Sequence, residues 1–165
     1  MKDEKGLSLR LAEEKDCRLL WEWRNEEESR KSAFDSDLVP FDDHKTWFIR
    51  KLNDHHSQIV IILDNSSKEI GQVRFDVDRN NAAEIDVGID RNERGKGYGA
   101  AAIRLACEYA FEKLNIKQIL SHIKPDNIAS QKIFAKAGFR NVGKNNLKDA
   151  LAVEMVLHNA NQMER

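Results

Sequence analysis

The chain has 165 residues, 41% hydrophobic and 33% charged, and its 27 Lys and Arg against 28 Asp and Glu leave a formal net charge of −1. That length predicts one domain over residues 1–165, with room for a sizeable core, and the balanced charge gives no basic footprint for nucleic acid or an anionic membrane surface. The charged start from Met1 to Lys5 has no apolar signal segment, and no apolar run approaches the ~20 residues of a membrane span.

Cys17 and Cys107 lie far apart in apolar helical patterns, too few and too distant for a disulfide framework or a zinc site. Both read as buried, reduced thiols, as in a cytoplasmic protein.

Along the chain, residues 7–11 alternate apolar and polar side chains and read as a strand. Asp16 is placed to cap a helix with Leu19, Leu20 and Trp23 on one side. Asp42 or Asp43 is placed to cap a second, striped by Trp47, Phe48 and Leu52. Residues 29–40 show neither period and read as a loop. A β-branched run at 59–63, a turn at 64–67, and alternation through Val73, Phe75, Val77 and then Ile85, Val87, Ile89 predict an antiparallel meander. Ile103, Ala106, Cys107, Ala110, Phe111 and Leu114 fall at helical spacing. A strand at 119–123 follows, then a helix from Asp126 or Asn127 striped by Ile133, Phe134 and Ala137 and stopped at Gly138. Two short strands, at 139–142 and 152–157, complete an α/β chain with a mixed sheet flanked by helices.

The chemistry concentrates in Arg94, Gly95, Lys96, Gly97, Tyr98 and Gly99, between a strand and the longest amphipathic helix. Glycines let the backbone turn tightly and approach a ligand, and free amides at a helix start, aided by its dipole, receive phosphate oxygens. Arg94 and Lys96 add positive charge. The spacing matches neither a P-loop, because Gly97 follows Lys96, nor the dinucleotide fingerprint.

It does resemble the Gln/Arg-x-x-Gly-x-Gly/Ala pattern of the GNAT superfamily of N-acetyltransferases. The run from Asn127 to Phe139, with Lys136-Ala137-Gly138-Phe139 at its end, is similar to the second signature of that superfamily. The resemblance implies a mostly antiparallel sheet of about seven strands with about four helices and a splayed central strand pair. It implies acetyl-coenzyme A as co-substrate and no metal. Amides of residues 94–99 would hold the pyrophosphate, backbone groups of Val87 and Ile89 the pantetheine arm, and Asn127 the cofactor's other side. Phe134 stands where many relatives carry a tyrosine that protonates the leaving thiolate, so that general acid is missing; Tyr98 or water are the substitutes.

Attack on a thioester needs a neutral amine, and a carboxylate with a raised pKa is a suitable proton acceptor. Glu84 and Asp86 alternate with Ile85, Val87 and Ile89 and leave the core face; Glu84 is the first candidate base, with His122 on the neighbouring strand as another. A β-bulge here would change which side chain enters the cleft. His44, His55 and His56 form no metal-spaced set and read as surface or cap residues.

The segment Trp21-Glu22-Trp23-Arg24-Asn25, Arg30, and His44-x-x-Trp47-Phe48 resembles acetyltransferases of 4-amino nucleotide sugars of the pseudaminic-acid type. Residues 70–76 and 121–127 add to that resemblance. It nominates Arg24, Asn25, Arg30, His44, Trp47 and Arg74 as acceptor-binding residues, with arginines for a diphosphate and an aromatic for a ring. Arginines paired with the many glutamates, and aromatics packed in the core, are the plain alternative. Acetylation of a protein N-terminus or ribosomal protein is a second enzymatic reading, favouring an open acidic groove over a basic pocket. A non-catalytic coenzyme-binding module is a third, and a homodimer through an edge strand is expected by analogy.

Overall fold

Alternation of apolar and polar residues builds seven strands that join into one mixed sheet in the computed structural model, which describes residues 2–147 and 150–162. The expected single domain over 1–165 thus includes residues 1, 148, 149 and 163–165, which lie outside the described residues. In chain order the elements are β1 (Ser8–Leu11), α1 (Cys17–Asn25), α2 (Glu27–Ser32), α3 (Phe41–Leu52), β2 (Ser57–Leu63), β3 (Glu69–Val77), β4 (Ala82–Ile89), α4 (Tyr98–Lys113), β5 (Gln118–Ile123), α5 (Ile128–Lys136), β6 (Arg140–Leu147) and β7 (Ala150–His158). The sheet order is β1-β2-β3-β4-β5-β7-β6. Every neighbouring pair is antiparallel except β4 and β5.

The additional helix is α2, which overlaps the start of the 29–40 segment that reads as a loop. It buries none of its residues, so it has no apolar stripe to find; the Glu26 side chain caps it by accepting from the Glu28 and Ser29 amides. The caps expected at Asp16 and at Asp42 or Asp43 differ as well. Helix α3 starts at Phe41, which puts Asp42 and Asp43 in its first turn, where they favour the helix dipole. Asp16 makes no side-chain cap to α1, because its carboxylate is taken by Arg10 and the Glu13 amide.

The continuous apolar run of β2 follows from burial on both faces. Val60 and Ile62 join Val73, Phe75 and Ile85 under α4, whose Ala102, Ala106 and Cys107 let it lie close to the sheet. Ile59 and Ile61 pack on the opposite face against Leu20 of α1 and Phe48 of α3. Cys107 is buried, whereas Cys17 is only half-buried at the start of α1; both are free thiols.

One contact fixes the central pairing. A Cβ at Gly71 would stand 2.4 Å from the Gly88 carbonyl oxygen across β3–β4, a backbone atom that cannot step aside. Gly71→Ala is therefore expected to cost about 1–3 kcal/mol, read as a lowered denaturation midpoint. Gly88→Ala, whose Cβ meets only the Gln72 side chain at 3.5 Å, serves as the comparison and changes stability little.

The parallel pairing of β4 with β5 holds only for Ala82 with Gln118, Ala83 with Ile119 and Glu84 with Leu120. Beyond it, β4 stays paired with β3 to Ile89 without a register shift, and β5 with β7 to Ile123. The expected splay opens between them, and no β-bulge intervenes between β3 and β4. The β5-facing edge of residues 85–89 is left without a strand partner.

Candidate active site

A cleft of about 1350 Å³ opens at the splay, floored by residues 85–89 of β4 and Ser121, His122 and Ile123 of β5. Helices α1 and α3 wall one end; Gly99 of α4 and Asn127, Ile133 and Phe134 of α5 wall the other.

At the α4 end, Gly95 and Gly97 hold φ of +78° and +79°, in the left-handed region where a side chain is strained. Gly97 is the N-cap of α4 and has no side chain to offer, so the first-turn amides are left for a ligand at the positive end of the dipole. A Cβ at Gly99 would stand 3.2 Å from Ile133, so glycine there sets how closely α4 and α5 approach. The Arg94 guanidinium donates to the Ile89 carbonyl at 3.1 Å, to Glu26 Oε2 at 2.9 Å and to Ser29 Oγ at 3.1 Å. Lys96 pairs with Glu93 at 2.8 Å, and the same buried carboxylate takes Lys68 at 2.6 Å. Asn127 Oδ1 caps α5 by accepting from the Ser130 amide. Phe134 is buried edge-on against Phe139, with ring centroids 5.0 Å apart.

At the other end, most polar side chains shape the wall. Asn25 exchanges two 2.8 Å hydrogen bonds with the main chain of Val39, and Trp21 Nε1 donates to the Val39 carbonyl at 2.7 Å. Arg24 donates Nη2 to the Asp35 carbonyl at 2.8 Å, while its Nη1 is buried without a partner among the described residues. Arg30 donates to the Asn25 and Ser36 carbonyls. His44 is buried, stacked on Phe48 with its Nε2 3.0 Å from the Cys17 carbonyl oxygen, which corrects its reading as a surface or cap residue. Burial pushes its pKa down, so the ring is held neutral. Arg74 lies 5.1 Å above the Trp47 ring and bonds Asp76 Oδ2 at 2.9 Å.

Asp86 lines the cleft and accepts from Gln72 Nε2 at 2.9 Å. His122 lines it too, with Nδ1 3.3 Å from Glu84 Oε1 and Nε2 3.7 Å from Glu154 Oε2. Nδ1 is buried, and its contact with Glu84 is a close charge contact, not an aligned hydrogen bond. Glu84 raises the imidazole pKa against the effect of burial, and Glu154 adds to it. His122 in turn holds the Glu84 carboxyl below the usual carboxylate range. The raised pKa expected at a carboxylate thus falls on the histidine.

The splay gathers Arg24, Asn25, His44, Trp47, Arg74, Asp86, Val87, Ile89, Arg94, Gly99, His122, Asn127 and Phe134 around one cleft. Glu84, Arg30, Gly95, Lys96, Gly97 and Tyr98 do not line it: Glu84 touches it through His122, and Tyr98 packs on the core. Sequence reasoning missed Glu154, which β5–β7 register sets opposite His122. Its signal was available, a single carboxylate inside the apolar run Ala152-Val153-Glu154-Met155-Val156. It also missed Trp23, whose Nε1 donates to Asp90 at 2.9 Å, and Glu26. Among the described residues no group of three or more His, Cys, Asp or Glu sits together for a metal, and no helix is long and apolar enough to cross a membrane.

Residues 7–140 match the model of the acetyltransferase (GNAT) domain family. Similar chains include an uncharacterized N-acetyltransferase, p20, of Bacillus licheniformis, 27% identical over 146 residues, covering 83% of this chain and 80% of the relative. The spermidine N(1)-acetyltransferase of Vibrio cholerae is 24% identical over 136 residues, covering 81% and 78%. Among solved structures, a spermidine N-acetyltransferase from Vibrio cholerae with CoA and spermine superposes with a TM-score of 0.84 at 21% identity, over 94% of this chain and 96% of that one. An aminoglycoside acetyltransferase with coenzyme A gives 0.81 at 23%, over 93% and 95%. The chain belongs to the GNAT family and has its fold. It is an acetyl-coenzyme A-dependent N-acetyltransferase.

Proposed function

We propose that the acceptor is an amine on a sugar that also carries an anionic group, a nucleotide-linked 4-amino sugar. The observation that carries this reading is Arg24 Nη1, buried in the cleft wall with no partner. A buried guanidinium nitrogen without an acceptor is costly, and a phosphate oxygen of the substrate satisfies it. Asp86 supplies negative charge for the ammonium, so the cleft offers both signs, as such a molecule requires.

Acetyl-coenzyme A supplies the thioester. In this reading the amides of the α4 first turn and the glycine turn at 94–99 receive its pyrophosphate, and the unpaired edge at Val87 and Ile89 receives its pantetheine arm. Asn127 and Phe134 border it from α5. The Glu84 charge beside Nδ1 favours the tautomer with the proton on Nδ1, which leaves Nε2 as acceptor. His122 Nε2 takes the ammonium proton, the amine nitrogen bonds to the acetyl carbon, and the carbon–sulfur bond breaks. Phe134 has no proton to give and Tyr98 lies outside the cleft, so the second proton, which the nitrogen loses as the amide forms, reaches the leaving thiolate through water.

A small cationic amine is the second reading. It is favoured by six carboxylates on the cleft lining (Glu22, Glu26, Glu28, Asp43, Asp86, Asp90) against four arginines (Arg24, Arg74, Arg91, Arg94). Thiol release from acetyl-coenzyme A, measured with 4-amino nucleotide sugars, spermidine-like polyamines and N-terminal peptides, separates the readings. Turnover is expected on a nucleotide sugar, with KM for it raised about 10-fold or more in Arg24→Gln. Turnover on polyamines alone, or a KM for the sugar indifferent to Arg24→Gln, sinks the nucleotide-sugar assignment.

A further inference from the structure

Helix α2 is six residues long and buries none of them, so no core of its own holds it in place. Polar ties do. The Glu26 carboxylate accepts from the Glu28 amide at 3.1 Å through Oε1. Through Oε2 it accepts from the Ser29 amide at 3.1 Å, Ser29 Oγ at 3.0 Å and Arg94 Nη2 at 2.9 Å. Arg94 reaches on to the carbonyl of Ile89, the last residue of β4. On the far side Lys124 Nζ, just beyond β5, donates to the Lys31 carbonyl at 2.8 Å. Helix α2 therefore ties together the ends of the two strands that splay.

Burial opposes ionisation of Glu26, but Arg94, the two amides and the Ser29 hydroxyl outweigh it and hold the carboxyl down at about 2. The anion is thus permanent near neutral pH. One carboxylate caps α2 and also grips the arginine that opens the glycine turn.

We propose that Glu26 is a positioning residue that couples the two ends of the cleft, fastening the α1–α2 arm to Arg94 so that coenzyme A in the glycine turn tightens α2. This rests on the reading of residues 94–99 as the cofactor turn. A ligand that fixes Arg94 also fixes its partner, and the coupling is reciprocal: an ordered α2 favours the bound turn.

Hydrogen exchange of the amides of residues 27–32, followed in the full chain with and without saturating coenzyme A, tests it. In the unaltered protein, coenzyme A is expected to slow these amides by about fivefold or more. Arg94→Gln keeps the Glu26 cap but removes one tie, so exchange without ligand speeds less than in Glu26→Gln, while the response to coenzyme A is lost even at a concentration that calorimetry shows to saturate the variant. Glu26→Gln speeds exchange and also loses the response. If Glu26 merely caps α2, the slowing by coenzyme A survives in both variants, and the inference falls. It falls too if calorimetry shows coenzyme A bound while α2 of the unaltered protein does not respond. Absence of coenzyme A binding defeats the cofactor reading itself and takes this inference with it.

Discussion

His122→Ala is expected to lower kcat/KM by about 10²- to 10⁴-fold while leaving the Kd for coenzyme A unchanged. The histidine lines the cleft and sets one ring nitrogen beside each of two carboxylates. Its pKa is raised, chiefly by Glu84, so the charged ring persists above the ordinary histidine range. A base must be neutral to act. Activity is therefore expected to rise with pH through this elevated value. Glu84→Gln removes the anion beside Nδ1, which moves the inflection to lower pH and lowers the plateau, because nothing then fixes the tautomer. The charges that face the ring are Glu84 from β4 and Glu154 from β7, so Glu154→Gln shifts the inflection the same way. A pH–rate profile of the three variants decides the matter. An unchanged profile in Glu84→Gln, or full activity in His122→Ala, removes His122 as the base and returns the role to Asp86.

Asp16→Ala is expected to destabilise the fold by about 3 kcal/mol, near the lower end of the cost of breaking a buried ion pair, because Arg10 keeps some contact with solvent. Asp16 is 4% exposed and accepts from Nη1 and Nη2 of Arg10, each at 2.8 Å, in the two-pronged geometry that suits a carboxylate. Without it Arg10 retains Glu69 at 3.3 Å and a charge facing an emptied pocket. Burial works against ionisation of Asp16, yet Arg10 and the Glu13 amide win and set its pKa below the usual carboxylate value. A depressed folded-state pKa means stability present above the unfolded value and lost as pH falls through the folded one. Thermal melts should therefore lose an acid-sensitive component in Asp16→Ala. A melt equal to that of the unaltered protein across pH 3–7, a range of about four units spanning ordinary carboxylate titration, contradicts this.

Much of the fold was legible because its elements carry strong local periods. The two-period alternation of β3 and β4 and the long stripe of α4 are properties of neighbouring residues, and all three elements formed where expected. The glycine turn was legible for the same reason, since left-handed φ at Gly95 and Gly97 is a local demand. Helix α2 escaped because a helix with no buried face leaves no stripe. The cap expected at Asp16 does not form because Arg10 competes for the carboxylate across space.

The amino-acid sequence by itself determined the family, the glycine turn and the set of candidate polar residues, since each is written in residue type and short spacing. Only the tertiary structure decided which of them share a cleft and in what ionisation state. Strand register brings Glu84, His122 and Glu154 side by side from three strands, and the attraction between Glu84 and His122 then outweighs burial, raising the pKa of the histidine and lowering that of the carboxylate. Those distances and dielectric surroundings arise when the sheet closes, and no local pattern encodes them.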